Sequence, residues 1–457
     1  MRATGQDESS RGPHNDTVSE PPRRGFTRTA RLASLPLGMA GRAAVGAGRR
    51  LSGTPAEEVA LRLQTQAAEQ LFSVLGELKG GAMKVGQAMS IFEAAMPEDL
   101  AAPYRAALTR LQDAAPPMPT ETVHRVLGEN LGPRWRTKFR EFDDTPVASA
   151  SIGQVHRAVW KDGRVVAVKA QYPGAGPALV GDFRRLARVT RMSASWLPGL
   201  DLGPLLDEFV GRVEEELDYG REAANQKVFA EVFDGDPDVA VPAVVHHGPT
   251  LLVTEWLDGT PLSRIIAEGT DEQRDLAATR YLEFHVAAPA RARLLHADPH
   301  PGNFRLLDDG RLGVMDFGAV DRLPGGLPPV IGRLLSRALE DDAESVLAGL
   351  REEGFVRPHI DVDADELLDV IDPFIDPLRV PEFCFTRDWL RTHAERYRDP
   401  RSVDFRTSLR LNLPPDYMMI ERVWAGGIGV LCQIDGVVPA RAVLANGLPG
   451  AEFGPMP

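Results

Sequence analysis

The spacing of apolar and polar positions divides the chain into long helical stretches and a few short strands. Apolar residues recur at helical spacing over 55–111, after an N-terminal region that is almost free of them. Shorter apolar runs predict a strand that ends at Lys169, another over 250–257, and a hairpin over 304–315. Further helices are predicted at 121–131, 205–233, 273–286, 328–339, 343–353, 365–371 and 418–432.

The composition indicates a globular protein and argues against nucleic acid as a partner. With 457 residues, 43% of them hydrophobic, the chain can bury at least one large core and form two or three lobes. A net charge of −13 does not suit a nucleic-acid binder, which usually carries a broad basic surface. Cys384 and Cys432 lie far apart and offer no disulfide framework, which fits a reducing cytosol.

The sequence also argues against a membrane span. No apolar run approaches the roughly 20 residues that cross a bilayer. The nearest, 423–432, is rich in glycine and is followed by Gln433 and Asp435, so it predicts a buried helix. The first 25 residues are polar and lack the apolar core of a secretory signal. We therefore expect a cytoplasmic protein without a transmembrane helix.

The N-terminal region has a composition of its own. Residues 1–50 carry nine arginines against two aspartates and two glutamates, and 1–24 contain almost no apolar residues, which is typical of disorder. The segment 23–50 places apolar residues among its arginines, which permits two interpretations. It is either an amphipathic segment that makes peripheral contact with an anionic membrane or lipid, or a flexible basic leader. The composition favours the leader.

Two motifs in the second half carry the strongest chemistry. The run 296–303 reads His-x-Asp-x-x-x-x-Asn, and Asp316-Phe317-Gly318 follows after the predicted hairpin. Phosphoryl transfer needs a carboxylate to orient the nucleophile, a role that suits Asp298. It also needs oxygen ligands for Mg²⁺, which Asn303 and Asp316 would supply. The alternatives are an ordinary capped loop and a zinc cluster, and the nearby prolines and lack of cysteine disfavour zinc.

Two earlier segments match the parts of a phosphoryl-transfer site that bind the nucleotide phosphates. Small residues occupy all three glycine positions of the phosphate loop Gly-x-Gly-x-x-Gly-x-Val, and Lys169 ends a strand fourteen residues later, where it would contact nucleotide phosphates. Alanine permits a less close approach than glycine. Backbone N–H groups of this loop would approach the phosphates. The loop comprises Ala148, Ser149, Ala150, Ser151, Ile152, Gly153, Gln154 and Val155.

Two further parts of a phosphoryl-transfer site are a carboxylate that pairs with Lys169 and a segment that contacts the nucleotide base. A helical glutamate should pair with Lys169, and Glu216 is our first choice within Glu214-Glu215-Glu216, although the pattern does not settle which of the three turns inward. In a kinase layout, the strand over 250–257 would be the hinge between the two lobes. Backbone groups near Glu255 and Leu257 would there form hydrogen bonds with an adenine.

Together these motifs resemble the UbiB/AarF family of atypical protein-kinase-like proteins over about 70–435. The resemblance also rests on Lys84-Val85-Gly86-Gln87 and on Glu216-Leu217-Asp218-Tyr219 with Arg221-Glu222-Ala223. It implies an α+β, two-lobed kinase-like fold with a helical N-terminal extension and a mostly helical C-terminal lobe. It further implies ATP and Mg²⁺ as cofactors, Lys84 and Gln87 near the nucleotide, and a link to isoprenoid-quinone biosynthesis or membrane-lipid metabolism.

Three departures bear on activity. Ser149 stands where many family members have alanine, so its hydroxyl could contact a phosphate. The motif 296–298 lacks the arginine that pairs with a phosphorylated activation loop, and 316–335 contain no serine, threonine or tyrosine. Some bacterial members end in transmembrane helices, whereas this chain does not. A peptide substrate is therefore not expected.

We accordingly predict an ATP-binding atypical kinase or ATPase with Asp298, Lys169 and Glu216 as catalytic residues. The predicted divisions are a disordered leader (1–50), a helical extension (51–135), the N-lobe (136–257), the C-lobe (258–440) and a tail (441–457). One alternative is a nucleotide-binding pseudoenzyme that acts as a scaffold for a biosynthetic complex. Another is a small-molecule kinase of the aminoglycoside or choline type. The phosphoryl acceptor is not encoded in any motif that we recognise.

Overall fold

A five-stranded antiparallel sheet forms the first half of the structure. The structure, a computed structural model, describes residues 117–150, 153–173, 217–397, 399 and 401–455. In chain order the elements of this half are α1 (Thr120–Leu131), β1 (Phe139–Ala150), β2 (Gly153–Trp160), β3 (Val165–Gln171), α2 (Tyr219–Val232), β4 (Val239–Ala240), β5 (Val244–Gly248) and β6 (Leu251–Glu255). The strand order is β1-β2-β3-β6-β5.

The alternation of side chains along β3 explains how the sheet serves two purposes. Val166, Val168 and Ala170 are fully buried and join a core that includes Val126 and Leu127 of α1. Because neighbouring residues on a strand point to opposite faces, Lys169 lies on the other face of the sheet. The sheet thus buries one face against α1 and presents Lys169 on the opposite face.

The second half is mostly helical. Its elements are β7 (Thr260–Pro261), α3 (Leu262–Glu268), α4 (Asp271–Ala292), β8 (Leu294–His296), β9 (Phe304–Leu306), β10 (Leu312–Val314), β11 (Val320–Arg322), α5 (Pro329–Leu339), α6 (Ala343–Glu352), α7 (Ala364–Ile375), β12 (Phe383–Cys384), α8 (Arg387–Arg396), α9 (Val403–Ser408), α10 (Met418–Ile434), β13 (Val437–Val438) and α11 (Ala440–Gly447). A four-stranded sheet has the order β4-β10-β9-β7, and β8 pairs with β11.

The long helix α4 is the centre of this lobe. Thr270 and Gln273 form a reciprocal capping box at its start, which satisfies two backbone donors. Its buried residues Tyr281 and Phe284 belong to the same core cluster as Phe304 and Phe317. The helix therefore supports the two strands, β8 and β9, that flank the predicted catalytic loop.

The predicted fold class is confirmed: the chain has an α+β kinase-like architecture. The predicted helices 121–131, 328–339 and 343–353 agree with α1, α5 and α6 to within a residue at each end. The apolar segment 423–432 lies in α10 and is largely buried, as predicted. In the part of the chain that the structure describes, no helix has both the length and the apolar character that a bilayer span needs.

Two of the predicted segments, the N-terminal extension and the tail, contain residues that pack into the lobes. Helix α1, which we assigned to the N-terminal extension, packs into the core of the five-stranded sheet. Residues 441–455 of the predicted tail contribute Val443, Leu444 and Leu448 to the core of the C-lobe. Predictions on 1–116, 151–152 and 174–216 lie outside the described residues, which include neither Lys84 nor Gln87.

Candidate active site

The ammonium group of Lys169 joins three elements of the fold. Its Nζ lies 2.8 Å from Oε1 and 3.1 Å from Oε2 of Glu222 on α2, and 3.1 Å from Oδ2 of Asp316. The Glu222 side chain is 1% exposed, whereas that of Asp316 is 32% exposed. One cation therefore holds a buried carboxylate on its helix side and a solvent-accessible carboxylate on its cleft side.

The electrostatics of this group favour the charged form of Lys169. Burial alone would lower the pKa of its ammonium group, but the negative charges of Asp316 and Glu222 outweigh that effect. The pKa of Lys169 is consequently raised well above its usual value. Lys169 is a cation at neutral pH, as a contact for phosphate requires.

The glutamate that pairs with Lys169 is Glu222, and this corrects our choice of Glu216. Glu216 lies outside the described residues, six positions before Glu222. Asp218 caps α2, since its side chain accepts hydrogen bonds from the N–H groups of Gly220 and Arg221. Helix α2 therefore begins after the acidic triplet, and Glu222 is in its first turn.

A signal for Glu222 was present in the sequence. Aspartate is a preferred N-cap residue, so Asp218 could have marked the start of the helix. From that start, Glu222, Gln226 and Phe229 share one face at helical spacing, and all three are buried. We chose Glu216 instead because it lies within three consecutive glutamates at 214–216.

The predicted catalytic loop is fixed at both of its ends. β8 pairs with β11 so that His296 lies opposite Val320, and the loop continues to Asp298. The side-chain amide of Asn303 donates to the carbonyl oxygen of Asp298 at 3.2 Å. The backbone N–H of Met315 donates to the carbonyl of Asn303 at 3.0 Å. This bond ties the loop to Asp316-Phe317-Gly318, the predicted metal-binding motif, which is called the metal motif below. The structure therefore places Asp298 beside Asn303.

His296 has a structural role in this loop. Its Nε2 donates to the carbonyl oxygen of Asp316, 2.5 Å away, so that nitrogen is not available as a metal ligand. Nδ1 of His300 accepts a hydrogen bond from the N–H of Gly302. In the described part of the chain no group of three or more His, Cys, Asp or Glu side chains could hold a metal ion. The zinc alternative therefore has no support here.

The residues around Asp316 suit a magnesium ion shared with a nucleotide. Oδ1 of Asp316 accepts from the N–H of Gly318 at 3.0 Å, which orients the carboxylate. The side chain of Asn303 is largely buried beside the catalytic loop. Magnesium is usually held by one or two protein oxygen ligands together with substrate phosphates, so a full protein cage is not needed. The donor set of Asp316 and Asn303 fits this requirement.

The metal motif is also connected to α2. The ring of Phe317 is fully buried and lies 4.9 Å from the ring of Phe229, centroid to centroid. The side-chain amide of Asn225 donates to the carbonyl of Phe317 at 3.1 Å. With the contact between Lys169 and Glu222, these interactions place one helix against both the sheet and the metal motif.

The predicted phosphate loop is the tip of the β1–β2 hairpin. Ala148 pairs with Val155, Ser149 with Gln154, and Ala150 with Gly153, while Ser151 and Ile152 lie outside the described residues. A Cβ atom added at Gly153 would collide with the carbonyl of Ala170. Glycine is therefore required at 153 by close packing of β2 on β3.

The side chain of Gln154 turns inward, a direction that the prediction of backbone phosphate contacts did not address. It is 1% exposed, accepts from the N–H of Met118 at 2.6 Å, and donates to Nε2 of His156 at 2.8 Å. Nδ1 of His156 donates to the carbonyl of Asp143, and burial lowers the pKa of His156. The side chain of Gln154 thus packs beneath the loop, and its backbone lies between Ser149 of β1 and Ala170 of β3.

Two backbone hydrogen bonds limit which groups of the predicted hinge could contact an adenine. The N–H of Glu255 donates to Ala243 at 2.9 Å, and that of Trp256 donates to Val165 at 3.0 Å. The Glu255 carboxylate accepts from Arg164 at 3.0 Å. An adenine at this edge would therefore have to bond with Leu257 or with carbonyl groups.

Comparisons with known proteins agree with this geometry. Residues 110–349 match the family model of the ABC1 atypical kinase-like domain. The mitochondrial atypical kinase coq-8 of Caenorhabditis elegans is 32% identical over 356 residues, which cover 72% of this chain and 45% of that protein. The mitochondrial atypical kinase COQ8 of Schizosaccharomyces pombe is 29% identical over 380 residues, which cover 80% and 60%. The chain thus spans about half the length of these relatives.

A solved structure is also similar. The complex of Rv3197 with erythromycin from Mycobacterium tuberculosis is 44% identical in sequence. It superposes with a TM-score of 0.68 and covers 87% of this chain and 100% of that chain. The family resemblance inferred from the motifs is confirmed, and the chain belongs to the ABC1 family of atypical kinase-like proteins, which includes the COQ8 and UbiB proteins.

Proposed function

We propose that this chain binds ATP with Mg²⁺ and transfers or hydrolyses the terminal phosphoryl group. The observation that carries the proposal is the contact of Lys169 with both Glu222 and Asp316. Three segments that are far apart in sequence meet there, and each supplies the residue type that phosphoryl transfer requires.

Each side chain has a role that follows from its position. Lys169, held by Glu222, would contact the phosphates of the nucleotide. Asp316 and Asn303 would hold Mg²⁺, which, when bound, neutralises charge on the phosphate oxygens. Asp298 would orient the acceptor hydroxyl or water and take its proton. The acceptor oxygen then forms a bond to the terminal phosphorus as the bond to the leaving oxygen breaks, and ADP is released.

For the pathway we propose only a broad area of metabolism, and we name no phosphoryl acceptor. Relatives are named COQ8 atypical kinases, which supports a link to isoprenoid-quinone or membrane-lipid metabolism. Peripheral contact with an anionic lipid surface would involve 23–50, which lie outside the described residues. A scaffold that binds ATP without turnover remains the alternative. Membership of this family argues against an aminoglycoside-type kinase.

The test is Mg²⁺-dependent ATP binding and turnover by the purified chain. We expect Asp316→Asn to weaken binding of Mg²⁺-ATP, since a charged ligand becomes neutral. Asp298→Asn should keep ATP binding and lose about 10²–10⁴-fold in turnover, the usual contribution of a positioned base. Asp308→Asn, in an exposed turn, is the matched control and should change neither.

The outcomes separate enzyme from scaffold. Wild-type protein that shows no Mg²⁺-dependent ATP affinity would refute the proposal as a whole. ATP binding without measurable turnover would favour the scaffold interpretation. Turnover that Asp298→Asn leaves intact would refute the proposed role of Asp298.

Macrolide binding is a second candidate. The M. tuberculosis relative was solved with erythromycin, and it is 44% identical and matched over its whole length. Calorimetric titration of this chain with erythromycin, with and without ATP, tests the candidate. A saturable heat at a stoichiometry near one supports it, and its absence at high drug concentration rejects it.

A further inference from the structure

A large apolar cavity lies in the C-lobe behind the catalytic loop. Its volume is about 270 Å³, and its wall includes Tyr281 and His285 of α4, Val330 of α5, Phe374 of α7 and Gly427 of α10. An apolar cavity of about 150 Å³ is already large enough to hold benzene. Phe374 is 50% exposed, so the cavity reaches the protein surface beside that residue.

The wall excludes a charged ligand. Among the residues that the structure describes, no aspartate, glutamate, lysine or arginine lines the cavity. The polar atoms of several wall residues are already used: the hydroxyl of Tyr417 donates to Glu353 at 2.7 Å, and Nε1 of Trp389 donates to Asp376 at 3.3 Å. An ion would lose its hydration there without compensation, whereas an uncharged apolar molecule would gain contacts along the wall.

His285 is neutral in this wall. Its Nδ1 donates to the carbonyl of Tyr281 at 2.9 Å, which leaves Nε2 without a proton. Burial lowers the pKa of His285 to about 3, so the ring carries no charge at neutral pH. Nε2 has no hydrogen-bond partner among the described residues.

The sequence explains why the space exists. α10 carries Gly426, Gly427 and Gly429 in its buried stretch. A Cβ atom built at Gly427 would meet nothing closer than the Tyr281 ring, at 3.9 Å. Glycine destabilises a helix relative to alanine, so helix propensity does not account for these residues. A residue with a side chain would fit at 427, so the missing side chain leaves space beside Tyr281.

Tyr281 connects the cavity to the catalytic loop. Its ring lines the cavity, and its hydroxyl donates to the carbonyl of Pro299 at 2.7 Å. Pro299 follows Asp298 directly. A molecule that displaces or immobilises the Tyr281 ring would therefore act on the backbone next to the proposed catalytic carboxylate.

We propose that this cavity is an effector site for a small, uncharged and mainly apolar molecule, and that its occupant acts on the catalytic loop through Tyr281. The binding part is independent of the nucleotide function proposed above. The coupling part rests on that function where turnover is the readout, so it is also measured here without ATP.

The experiment uses prodan, an uncharged naphthalene dye whose emission shifts to the blue in apolar surroundings. We expect saturable binding of one dye per chain. Gly427→Leu should weaken it at least tenfold by filling the cavity. Gly325→Leu is the matched control, because Gly325 is exposed and a Cβ there meets no atom within 4 Å. It should bind prodan as the wild type does.

Hydrogen exchange provides a readout that does not depend on how well Gly427→Leu folds. In the wild type, prodan should slow amide exchange in α4 and α10 and change it in 297–303. Tyr281→Phe keeps the cavity wall but removes the hydroxyl, so it should bind the dye within about twofold and lose the effect on 297–303.

Each outcome decides part of the proposal. Absence of saturable wild-type binding, or equal affinity in Gly427→Leu, would overturn the site. Dye binding without any change in exchange at 297–303 would overturn the coupling. Both results are obtained without ATP, so failure of the proposed nucleotide function cannot be confused with either.

Discussion

Removal of the Lys169 charge tests whether the ion pair is structural as well as functional. In Lys169→Met the Glu222 carboxylate, 1% exposed, would lose the cation that it contacts at 2.8 Å. Loss of one partner from a buried pair usually costs about 3–5 kcal/mol, because an uncompensated charge stays buried. Asp316 is 32% exposed and remains solvated, so its loss of the same partner should add only about 0–1 kcal/mol.

A double variant separates stability from function. Replacing both members of a buried pair with apolar residues is often neutral or stabilising. Lys169→Met with Glu222→Leu should therefore recover most of the lost stability. It should not recover ATP binding, since no cation remains for the phosphates. The control Lys161→Met changes an exposed lysine and should alter stability by less than about 0.5 kcal/mol.

Urea unfolding followed by tryptophan fluorescence gives the stabilities, because Trp135 and Trp160 belong to the core of the five-stranded sheet. Calorimetric titration gives the ATP affinities. The reasoning fails if Lys169→Met costs less than about 1 kcal/mol, since Glu222 would then be solvated or protonated. It fails equally if the double variant is no more stable than the single one.

Two further predictions concern packing and pH. Gly153→Ala should destabilise the hairpin and weaken ATP binding, because its Cβ would collide with the Ala170 carbonyl; circular-dichroism melting and ATP titration check this, and an unchanged melting temperature would contradict it. His285 has a folded-state pKa of about 3, so only the unfolded chain takes up a proton as pH falls below about 6.5. Stability is therefore intact above about pH 6.5, and this one group should remove about 2 kcal/mol between pH 7 and pH 5. His285→Asn should flatten that part of the pH profile in urea unfolding, and an unchanged slope would contradict the assignment.

The order of the motifs was sufficient to predict the kinase-like fold, and it placed Lys169 and Asp316, which are in contact in the structure, in one site. Lys169 lies in the alternating strand β3, and the hairpin 304–315 returns the chain so that Asp316 follows Asn303 in space. These are local patterns with a fixed period, and local patterns survive in the tertiary structure. The meeting of Asp316 with Lys169, 147 residues earlier, also follows from recognised motif order.

The sequence patterns did not determine the direction of two side chains, because the helix or strand period alone does not say which face turns inward. Glu216 seemed suited to Lys169 because three acids adjoin there, but the helix start at Asp218 makes Glu222 the inward-facing residue. Gln154 belongs to the loop predicted to supply backbone donors, and no sequence pattern indicated that its side chain would bond with Met118, 36 residues earlier. The N-cap at Asp218 could have indicated Glu222 from the sequence, whereas the contact between Gln154 and Met118 depends on how the elements pack.

The same contacts explain why α2 is central to the proposed activity. Its Glu222 holds Lys169 of the sheet, and its Asn225 and Phe229 hold Phe317 of the metal motif. A displacement of α2 would therefore break contacts to the sheet and the metal motif at once. Such a displacement would separate the Glu222 carboxylate from the cation that it contacts at 2.8 Å. The buried Glu222 carboxylate thus has two effects: it holds α2 against the sheet, and it fixes the lysine proposed to contact the phosphates.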